Sequence, residues 1–457
     1  MRSSLQDRAE RVLADLLEAL SPGALVTDES VIDAYRFDAA RTILPGRPCA
    51  VVRAASVEDV QATVRVAIAH RVPVVPRGAG TGLSGGSTAI DGAITLSTER
   101  LRSIEVDPSC LTATVGPGAF NAEVKAAARA HDLWYPPDPS SSETCSIGGN
   151  LATNAGGACC VKYGVTTDYV LGLQVVLADG RAVRLGGKSI KDVAGYDLKR
   201  LFVGSEGTLG VITEATLRLR PPPPPAATVI GTFHELVHAG IAVASVMSKI
   251  RPSALELMDS SAVSAVERVR PMGLTSVGTL LLGQVPTRSG EAELMADDFE
   301  KAGATYVATT EDPDEGERFM GARRMAIPCV ERLGAVLIED VGVPIARVPD
   351  LIAAIEAIAA RNDTFVPIIG HAGDGNFHPL VTFDAKDEQA TLRANATFDA
   401  IMQAAVALGG TVTGEHGIGI LKAPHLESQL GADALDLTRR IKQAIDPHNI
   451  MNPGKWV

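Results

Sequence analysis

The sequence predicts an α+β fold whose main domain boundary lies near the middle of the chain. With 457 residues, the chain is too long for one compact core, and two or three domains are expected. A run of prolines, Pro221–Pro225, can continue neither a helix nor a central strand and therefore marks the clearest boundary. Short strands and glycine-rich segments precede this run, whereas strands alternating with helices follow it.

Composition and charge narrow the class of protein. Hydrophobic residues make up 46% and charged residues 21% of the chain, which is normal for a soluble globular protein. The formal net charge of −12 argues against nucleic acid or an anionic membrane as a partner. Six cysteines without a CxxC pair predict neither a disulfide framework nor an iron–sulfur cluster. No stretch approaches the roughly 20 apolar residues of a membrane span, and acidic residues interrupt the N-terminus, so we expect a cytoplasmic protein without a signal peptide.

The order of the elements follows from residue spacing. Leu13, Leu16, Leu17 and Leu20 recur at helical spacing and predict a helix over roughly the first 20 residues. Before the prolines, strands are predicted at 49–54, 72–77, 93–97, 111–118, 170–187 and 207–221, helices at 57–68 and 121–133, and a turn-rich segment at 135–170. After the prolines, helices are predicted at 233–250, 288–303 and 347–362, and strands at 254–259, 278–285 and 366–371.

A glycine-rich loop follows the second strand. The stretch "GTGLSG", Gly80 to Gly85, matches G-x-G-x-x-G formally, but a dinucleotide-binding Rossmann site needs a helix directly after the glycines. The residues that follow read as loop and strand, so we reject that site. Successive backbone N–H groups of such a loop can still bind a diphosphate, although an ordinary glycine-rich turn is the alternative. A second segment of small residues, Ser146–Gly157, favours a long ligand with a diphosphate and a ribityl chain.

Seven segments appear in an order that is typical of one protein family. The chain resembles the flavin-linked D-2-hydroxyacid dehydrogenases, which include D-lactate dehydrogenases, the FAD subunit of glycolate oxidase and D-2-hydroxyglutarate dehydrogenases, within the vanillyl-alcohol-oxidase-like flavoproteins. The resemblance covers nearly the whole chain. The segments are "PRGAGTGLSGGS", "GGNLATNAGG", "KYGVTTDYVLGLQVVLADG", "DLKRLFVGSEGTLGVITEATLRL", "GHAGDGNFHP", "GEHGIG" and "NPGK".

The resemblance implies an FAD-binding domain of the vanillyl-alcohol-oxidase/PCMH type and an α+β substrate domain, with a C-terminal segment returning to the flavin. The implied segments are an N-terminal helix at 1–27, the FAD-binding domain at 28–220, the proline linker at 221–225, the substrate- and metal-binding domain at 226–410 and the C-terminal segment at 411–457. The implied FAD-binding residues are Pro76, Arg77, Gly78, Ala79, Gly80, Thr81, Gly82, Leu83, Gly85, Pro137, Asp138, Ser146, Gly148, Gly149, Thr153, Asn154, Gly156, Gly157, Gly164, Glu206, Gly207, Gly210, Ile212 and Asn452. Some relatives attach FAD through a histidine near the first loop; this loop has none, which predicts noncovalent FAD.

The segment "GHAGDGNFHP" predicts a β-hairpin with two histidines. Asp374–Gly375 is a favoured two-residue type I′ turn, which would place His371 directly opposite His378. Directly opposed residues share a face with Cβ atoms roughly 4.5–5.5 Å apart, so two imidazoles could chelate one metal. Two solvated or stacked histidines are the alternative. Asp374 is interpreted as turn chemistry rather than as a ligand.

A third candidate ligand lies near the C-terminus, in "TVTGEHGIG". Two histidines and the carboxylate of Glu415 would form an open metal site, and the family resemblance implies this role for all three residues. Zinc, manganese and iron all fit these ligands. His416 is then the candidate general base for the substrate hydroxyl, with a structural histidine as the alternative.

The substrate carboxylate of a 2-hydroxy acid needs a cation. Arg323 falls on the position of a substrate-binding arginine in related sequences, and a guanidinium can bind a carboxylate through two hydrogen bonds. A surface arginine is the alternative for Arg323, and Arg324 could be the true ligand. The family's hydroxyglutarate branch carries a lysine shortly before an aspartate that corresponds to Asp340, but Ile338 stands two residues before that aspartate here. This departure favours the lactate or glycolate branch. Met320 stands where relatives often carry an aromatic residue, so the residues that line this wall of the pocket stay undecided.

The sequence therefore predicts an FAD- and metal-dependent oxidation of a small anionic D-2-hydroxy acid to the 2-oxo acid. A flavin oxidase that uses oxygen and an electron-transferring FAD subunit of a complex are the alternatives. The electron acceptor stays open between a quinone, an electron-transfer flavoprotein, a cytochrome and an iron–sulfur subunit, and a homodimer stays open as well.

Overall fold

The computed structural model describes residues 2–274 and 277–457, with residues 2–7 described by their backbone alone. The chain forms two compact units. Unit 1 consists of Met1–Ala155, Val165–Pro222 and Glu415–Val457, and unit 2 consists of Gly156–Gly164 and Pro223–Gly414. The chain passes from unit 1 to unit 2 inside the proline run, whereas Gly156–Gly164, which the sequence placed in the FAD-binding segment, belongs to unit 2.

One sheet of unit 1 contains parallel strands, one of which leads into the glycine-rich loop. Its strands are β1 (Leu25–Val26), β2 (Ala50–Arg53), β3 (Val74–Arg77) and β4 (Ile94–Ser97), in the order β1-β2-β4-β3. Strands β2, β4 and β3 are parallel, and β1 is antiparallel to β2. Their apolar side chains are buried, as the near-continuous apolar runs of parallel strands require. In the described chain the element that follows β3 is strand β4, which agrees with the rejection of a Rossmann site.

Another sheet of unit 1 is antiparallel throughout. Its strands are β5 (Ile104–Asp107), β6 (Thr112–Val115), β7 (Val170–Leu177), β8 (Ala182–Gly186) and β9 (Gly210–Arg218), in the order β5-β6-β9-β7-β8. Strand β9 alternates buried and partly exposed residues, the pattern of a sheet with one face in the core. The side chains of this core include Tyr135, Ile147, Leu173 and Leu217.

The helices up to the proline run belong to unit 1, except the short helix inside Gly156–Gly164, which belongs to unit 2. They are α1 (Arg2–Ala19), α2 (Glu29–Ala34), α3 (Val57–His70), α4 (Asn121–Arg129), α5 (Ile147–Thr153), α6 (Cys160–Tyr163) and α7 (Leu198–Phe202). Helix α1 buries Val12 and Leu16, but Leu17 is 73% exposed, so the predicted leucine stripe is narrower than expected. The segment 135–170, expected as turns, contains α5 and α6; α5 forms because Ser146 caps its N-terminus and Asn154 ends it in a left-handed conformation.

Unit 2 is built on an antiparallel sheet with helices. Its strands are β10 (Ala226–Phe233), β11 (Ala254–Met258), β12 (Thr279–Pro286), β13 (Tyr306–Thr310), β14 (Ala335–Ile338), β15 (Val341–Gly342), β16 (Ile368–His371) and β17 (Asn376–Phe383), in the order β13-β10-β12-β11-β16-β17-β14, with β15 pairing β17. Its helices are α8 (Leu236–Lys249), α9 (Ser260–Val269), α10 (Glu291–Lys301), α11 (Pro313–Arg324), α12 (Ala326–Val330), α13 (Val348–Asn362) and α14 (Glu388–Ala407). The predicted helices and strands after the prolines are all present, and the α+β class is confirmed.

The C-terminal segment returns to unit 1. It contains the helices α15 (Leu426–Leu430) and α16 (Ala432–Ile445). After α16, Val74 and Met451 form a parallel bridge, and the Val74 N–H donates to the Ile450 carbonyl at 2.7 Å. The last residues therefore extend the edge of the parallel sheet beside the strand that leads into the glycine-rich loop.

Candidate active site

The glycine-rich loop of unit 1 is tightly packed against the start of α5. The Ala79 N–H donates to Ser146 Oγ at 3.1 Å, and the same oxygen accepts from the Gly149 N–H at 3.3 Å. A Cβ atom at Gly78 would collide with Ser146 Oγ. Gly80 has φ +75°, and a Cβ there would collide with the guanidinium of Arg77. Glycine is therefore required at both positions by close approach, and at Gly80 also by its backbone conformation.

Arg77 is a buried cation at the start of this loop. Its guanidinium lies 5.8 Å from the centre of the Tyr35 ring, and its Nη1 is buried with no hydrogen-bond partner among the described residues. Burial lowers its pKa, and the nearby carboxylate of Asp38 opposes that shift. A buried, unsatisfied guanidinium N–H is costly unless an acceptor is bound to it. An anionic group such as a diphosphate in this loop would satisfy it.

Two side chains from the C-terminal segment donate hydrogen bonds to backbone carbonyls at and near the end of the loop. Asn452 donates from Nδ2 to the Gly86 and Glu206 carbonyls at 2.9 and 2.7 Å. Lys455, also buried, donates to the Gly85 and Thr88 carbonyls at 3.1 and 2.6 Å, and burial lowers its pKa to about 8. These contacts fix the far end of the loop from the C-terminal segment.

The carboxylate of Glu206 is directed at backbone amides rather than at a cation. It accepts from the N–H groups of Ile418 and Gly419 at 2.7 and 2.9 Å. Because the side chain is buried, desolvation raises its pKa to about 7, although the two backbone hydrogen bonds oppose that shift. The family resemblance implied that Glu206 binds FAD. In the structure its carboxylate holds the segment that follows His416.

The Glu415–His416 pair lies at the start of that segment. His416 Nε2 is 3.8 Å from Glu415 Oε1, and both side chains are largely buried. Ser84, in the glycine-rich loop, donates from Oγ to the Gly417 carbonyl at 2.7 Å. The loop and Glu206 therefore hold the backbone on the C-terminal side of the candidate base.

The other predicted cofactor residues are distributed over both units. In unit 1, Thr81, Gly82 and Leu83 lie in the loop, Pro137 and Asp138 precede α5, Gly148 and Thr153 lie in α5, Asn154 follows it, Gly207 lies in a turn against Pro76, and Gly210 and Ile212 lie in β9. In unit 2, Gly156 and Gly157 precede α6 and Gly164 follows it.

The predicted register of the histidine hairpin is wrong by two residues. His371 lies opposite Asn376, and His378 lies opposite Ile369. The reason is the turn: Ala372–Asp374 form a 3₁₀ turn that ends at Gly375 with φ +77°, instead of a two-residue type I′ turn at Asp374–Gly375. Because the error is an even number of residues, the two histidines remain on one face as diagonal neighbours.

The two imidazoles are close and both are buried. Their ring centres are 5.3 Å apart and the planes are nearly perpendicular, at 86°. His371 Nδ1 is bonded to the Glu256 carboxylate at 2.8 and 3.0 Å, and His378 Nδ1 lies 3.3 Å from the Glu339 carbonyl oxygen. With Nδ1 facing a protein acceptor in both rings, Nε2 is the nitrogen suited to a metal.

Glu256 is a site residue that sequence analysis missed. The pairing of Leu257 with Gly370 places Glu256 opposite His371 in the neighbouring strand. Arg323 Nε lies 3.0 Å from Glu256 Oε2, and both side chains are buried. Desolvation raises the pKa of Glu256, but the charges of His371 and Arg323 outweigh it, so the pKa lies below its usual range. The available signal was a glutamate inside the apolar strand "ALELM".

Arg323 has the properties expected of a carboxylate-binding residue. It lies in the last turn of α11, 4% exposed, and its Nη2 is buried without a hydrogen-bond partner among the described residues. Arg324, in contrast, is 46% exposed and forms an ion pair with Glu317. The structure therefore separates the two arginines: Arg323 points into the protein, and Arg324 lies on the surface.

Asp340 organises the end of unit 2. Its Oδ2 accepts from Thr413 Oγ1 at 2.6 Å and from the Gly414 N–H at 2.9 Å, and its Oδ1 is 3.7 Å from His378 Nδ1. A buried carboxylate therefore lies beside the Nδ1 of each imidazole, Glu256 beside His371 and Asp340 beside His378, as is typical of metal-ligating histidines, so the donor set fits a metal.

Both halves of the chain match known protein families. The family described as "FAD linked oxidases, C-terminal domain" matches residues 222–456, and the "FAD binding domain" family matches residues 48–186. The glycolate oxidase subunit GlcD of Bacillus subtilis (strain 168) is 41% identical over 416 residues, which cover 89% of this chain and 88% of that protein. The D-lactate dehydrogenase of Archaeoglobus fulgidus is 38% identical over 433 residues, which cover 93% of this chain and 96% of that protein.

Solved structures show the same fold. The p-cresol methylhydroxylase structure with substrate bound has a TM-score of 0.81 at 17% identity and covers 99% of this chain and 97% of that one. The 4-ethylphenol oxidase of Gulosibacter chungangensis has a TM-score of 0.80 at 18% identity, covering 98% and 97%. The predicted vanillyl-alcohol-oxidase/PCMH-type fold is confirmed. In the described part of the chain, every helix is too short or too polar to cross a membrane.

Proposed function

The chain belongs to the family of FAD-linked oxidases, and we propose that it oxidises a D-2-hydroxy acid of the lactate or glycolate type to the 2-oxo acid. The observation that carries the proposal is a group of buried side chains. Arg323 and His371 both contact the carboxylate of Glu256, and Arg323 has guanidinium N–H groups without a hydrogen-bond partner among the described residues. A second buried histidine, His378, lies next to His371. Such an arrangement suits a small anion whose carboxylate binds the arginine and whose hydroxyl binds a metal held by the histidines. The names of the relatives support the same substrate class.

The proposed binding groups contact two different ends of the substrate. Arg323 binds the carboxylate through its buried guanidinium, in which Nε and Nη2 have no hydrogen-bond partner among the described residues. His371, His378 and Glu415 would hold a divalent metal, for which zinc, manganese and iron are all suitable. Ile338 lies where the hydroxyglutarate branch has its second cation, which favours an acid with one carboxylate.

His416 is the proposed general base. When bound, the FAD supplies a hydride acceptor and the metal a Lewis acid that lowers the pKa of the substrate hydroxyl. His416 takes the hydroxyl proton as hydride leaves Cα, which is work suited to an imidazole near neutral pH. The backbone after His416 is held by Ser84 and Glu206, which fixes the origin of its side chain.

FAD is proposed to bind noncovalently in unit 1. The loop from Arg77 to Gly86 contains no histidine to which the flavin could be attached. Its close-packed glycines and the buried Nη1 of Arg77 fit a diphosphate. The electron acceptor is proposed to be a partner protein, because a relative with 41% identity is named as a subunit. Hydrogen peroxide formed in step with turnover would favour an oxygen-using oxidase instead.

A single anaerobic experiment tests the proposed reaction. The purified chain is mixed with D- and L-lactate, glycolate and D-2-hydroxyglutarate, and flavin bleaching is followed at each. D-lactate or glycolate should bleach the flavin, and chelation of metal should slow bleaching. His416→Ala should retain FAD and slow bleaching roughly 10²–10⁴-fold, the usual contribution of a general base. The exposed His448→Ala is the matched control. Unchanged bleaching in His416→Ala would refute the base assignment, and no bleaching by any acid would refute the proposed function.

A further inference from the structure

We propose that Glu256 is a positioning residue that holds His371 and Arg323 simultaneously, so that one carboxylate sets both the metal ligand and the substrate-carboxylate ligand. This inference rests on the proposed function, because it assigns a task to a residue in that site. Glu256 touches neither substrate nor metal in this scheme. It acts through the two side chains that do.

The first step is the position of Glu256 in the sheet. All residues of β11 are buried, and the register with β16 brings Glu256 opposite His371. Glu256 is 1% exposed, which is rare for a glutamate unless its charge is compensated. The compensation comes from Arg323 at 3.0 Å, and the Nδ1 of His371 approaches both carboxylate oxygens.

The second step concerns the tautomer of His371. A carboxylate is only an acceptor, so the Nδ1 of His371 must carry the proton that faces it. The proton on Nδ1 leaves Nε2 with its lone pair, which is the form that a metal requires. A carboxylate behind a ligating imidazole also raises its basicity, and loss of such a partner typically costs about 10–100-fold in metal affinity or activity.

The third step concerns the orientation of Arg323. Pairing of Nε with Glu256 restrains a long side chain that otherwise has many rotamers. Nε lies 3.0 Å from Glu256 Oε2 in an ion pair, and both Nε and Nη2 are buried without a hydrogen-bond partner among the described residues. The charge of the same carboxylate therefore orients a guanidinium that still has donors for a substrate carboxylate.

An amide cannot perform both tasks. Glutamine offers one acceptor oxygen and one NH₂ donor in place of the two carboxylate oxygens. If its oxygen faces His371, its NH₂ opposes the Arg323 Nε–H. If its oxygen faces Arg323, its NH₂ opposes the His371 Nδ1–H and favours the tautomer that carries the proton on Nε2. Glu256→Gln therefore weakens at least one of the two groups in either orientation, while it preserves size and shape.

The test uses FAD-loaded protein and Zn²⁺ as the probe. Zn²⁺ affinity is measured by competition with a chelator, and KM for D-lactate is measured at saturating Zn²⁺ so that metal loss does not enter. Glu256→Gln should weaken Zn²⁺ binding about 10–100-fold and raise KM about tenfold or more. Asp298→Asn is the matched control, because Asp298 is a buried carboxylate of the same unit that pairs with Lys249 instead. Its Zn²⁺ affinity and KM should stay within about threefold of the parent.

A double variant separates positioning from general loss of structure. In Glu256→Gln/Arg323→Met, the amide oxygen can accept from the His371 Nδ1–H, because the methionine side chain has no N–H group that competes for this oxygen or opposes the NH₂. Zn²⁺ affinity should return to within about threefold of the parent, whereas KM should remain high because the guanidinium is gone. A merely structural role of Glu256 predicts no such recovery, and the double variant also keeps the test valid if Glu256→Gln folds poorly.

The outcomes distinguish this inference from the proposed function. If D-lactate and glycolate fail to bleach the parent but Glu256→Gln lowers Zn²⁺ affinity and the double variant restores it, the proposed function fails and the positioning of His371 stands. If the parent is active and Glu256→Gln changes neither Zn²⁺ affinity nor KM, or if the double variant fails to recover Zn²⁺ affinity, the positioning role of Glu256 is overturned.

Discussion

Glu206 in unit 1 and Glu256 in unit 2 are both buried glutamates, yet their pKa values move in opposite directions. Glu206 accepts from two backbone N–H groups and experiences the charge of Lys455, yet desolvation raises its pKa to about 7. Glu256 is also desolvated, but its contacts with His371 and Arg323 outweigh desolvation and lower its pKa. Two backbone amides and the charge of Lys455 therefore do not offset the burial of Glu206, whereas the ion pair with Arg323 and the hydrogen bonds to His371 offset the burial of Glu256.

The two glutamates therefore illustrate two kinds of support. In unit 2, Arg323 and Glu256 are held by opposite charge, so removal of one partner leaves another charge buried. In unit 1, the segment after His416 is held by hydrogen bonds to neutral backbone groups, from Glu206 and from Ser84. We expect removal of a supporting side chain in unit 2 to lower the free energy of unfolding at every pH. In unit 1, we expect such a removal to have a smaller effect that depends on pH.

Arg323→Met is expected to have the largest effect. It leaves the Glu256 carboxylate buried without its guanidinium, which should lower the free energy of unfolding by about 3–5 kcal/mol. Urea unfolding of the purified protein measures this loss. Addition of Glu256→Gln to the variant should return most of it, because no unpaired charge remains. Arg324→Met, on the surface beside Glu317, should stay within roughly 0.5 kcal/mol of the parent. A loss below about 1 kcal/mol in Arg323→Met would contradict support by charge.

Glu206→Gln is expected to reveal the pH dependence of unit 1. The folded pKa of Glu206, about 7, is above its unfolded value, 4.5, so its stabilising contribution is complete below pH 4.5 and is lost as pH rises through 7. Relative to the parent, the glutamine variant should therefore gain up to about 3 kcal/mol of stability between pH 4.5 and 8. Unfolding free energies at pH 4.5, 6 and 8 check this, with the exposed Glu105→Gln as control. A difference between variant and parent that is constant with pH would show that Glu206 is ionised throughout.

Much of the fold was predictable from local patterns. The proline run, the apolar stripes and the glycine-rich loop lie close together in the sequence, so residue spacing is informative about each of them. The helix α5 was missed because it depends on Ser146 as an N-cap within a segment of small residues that have weak helix propensity. The hairpin register was wrong because Ala372–Asp374 adopt a 3₁₀ turn instead of the two-residue turn that the Asp–Gly pair predicts.

The candidate site was less predictable because its supports are distant along the chain. Glu256 and His371 are 115 positions apart, and only the pairing of β11 with β16 brings them together. Glu206 was assigned to FAD from a motif, but the direction of its carboxylate depends on Ile418 and Gly419, more than 200 positions away. Residue type identified the chemical groups of the candidate residues. Which partner each side chain contacts depends on strand pairing in unit 2 and on the return of the C-terminal segment to unit 1.

Ser84→Ala is expected to have the smallest effect and to test how unit 1 supports the candidate base. The variant removes the hydroxyl that donates to the Gly417 carbonyl, a neutral hydrogen bond worth about 1 kcal/mol. Because Gly417 directly follows His416, anaerobic flavin reduction by saturating D-lactate should slow by about fivefold, while FAD content is retained. Ser87→Ala, in the same loop, is the matched control, since only its backbone N–H contacts Asp38 among the hydrogen bonds described. Equal reduction rates in the two variants would mean that the Ser84 hydroxyl does not position His416.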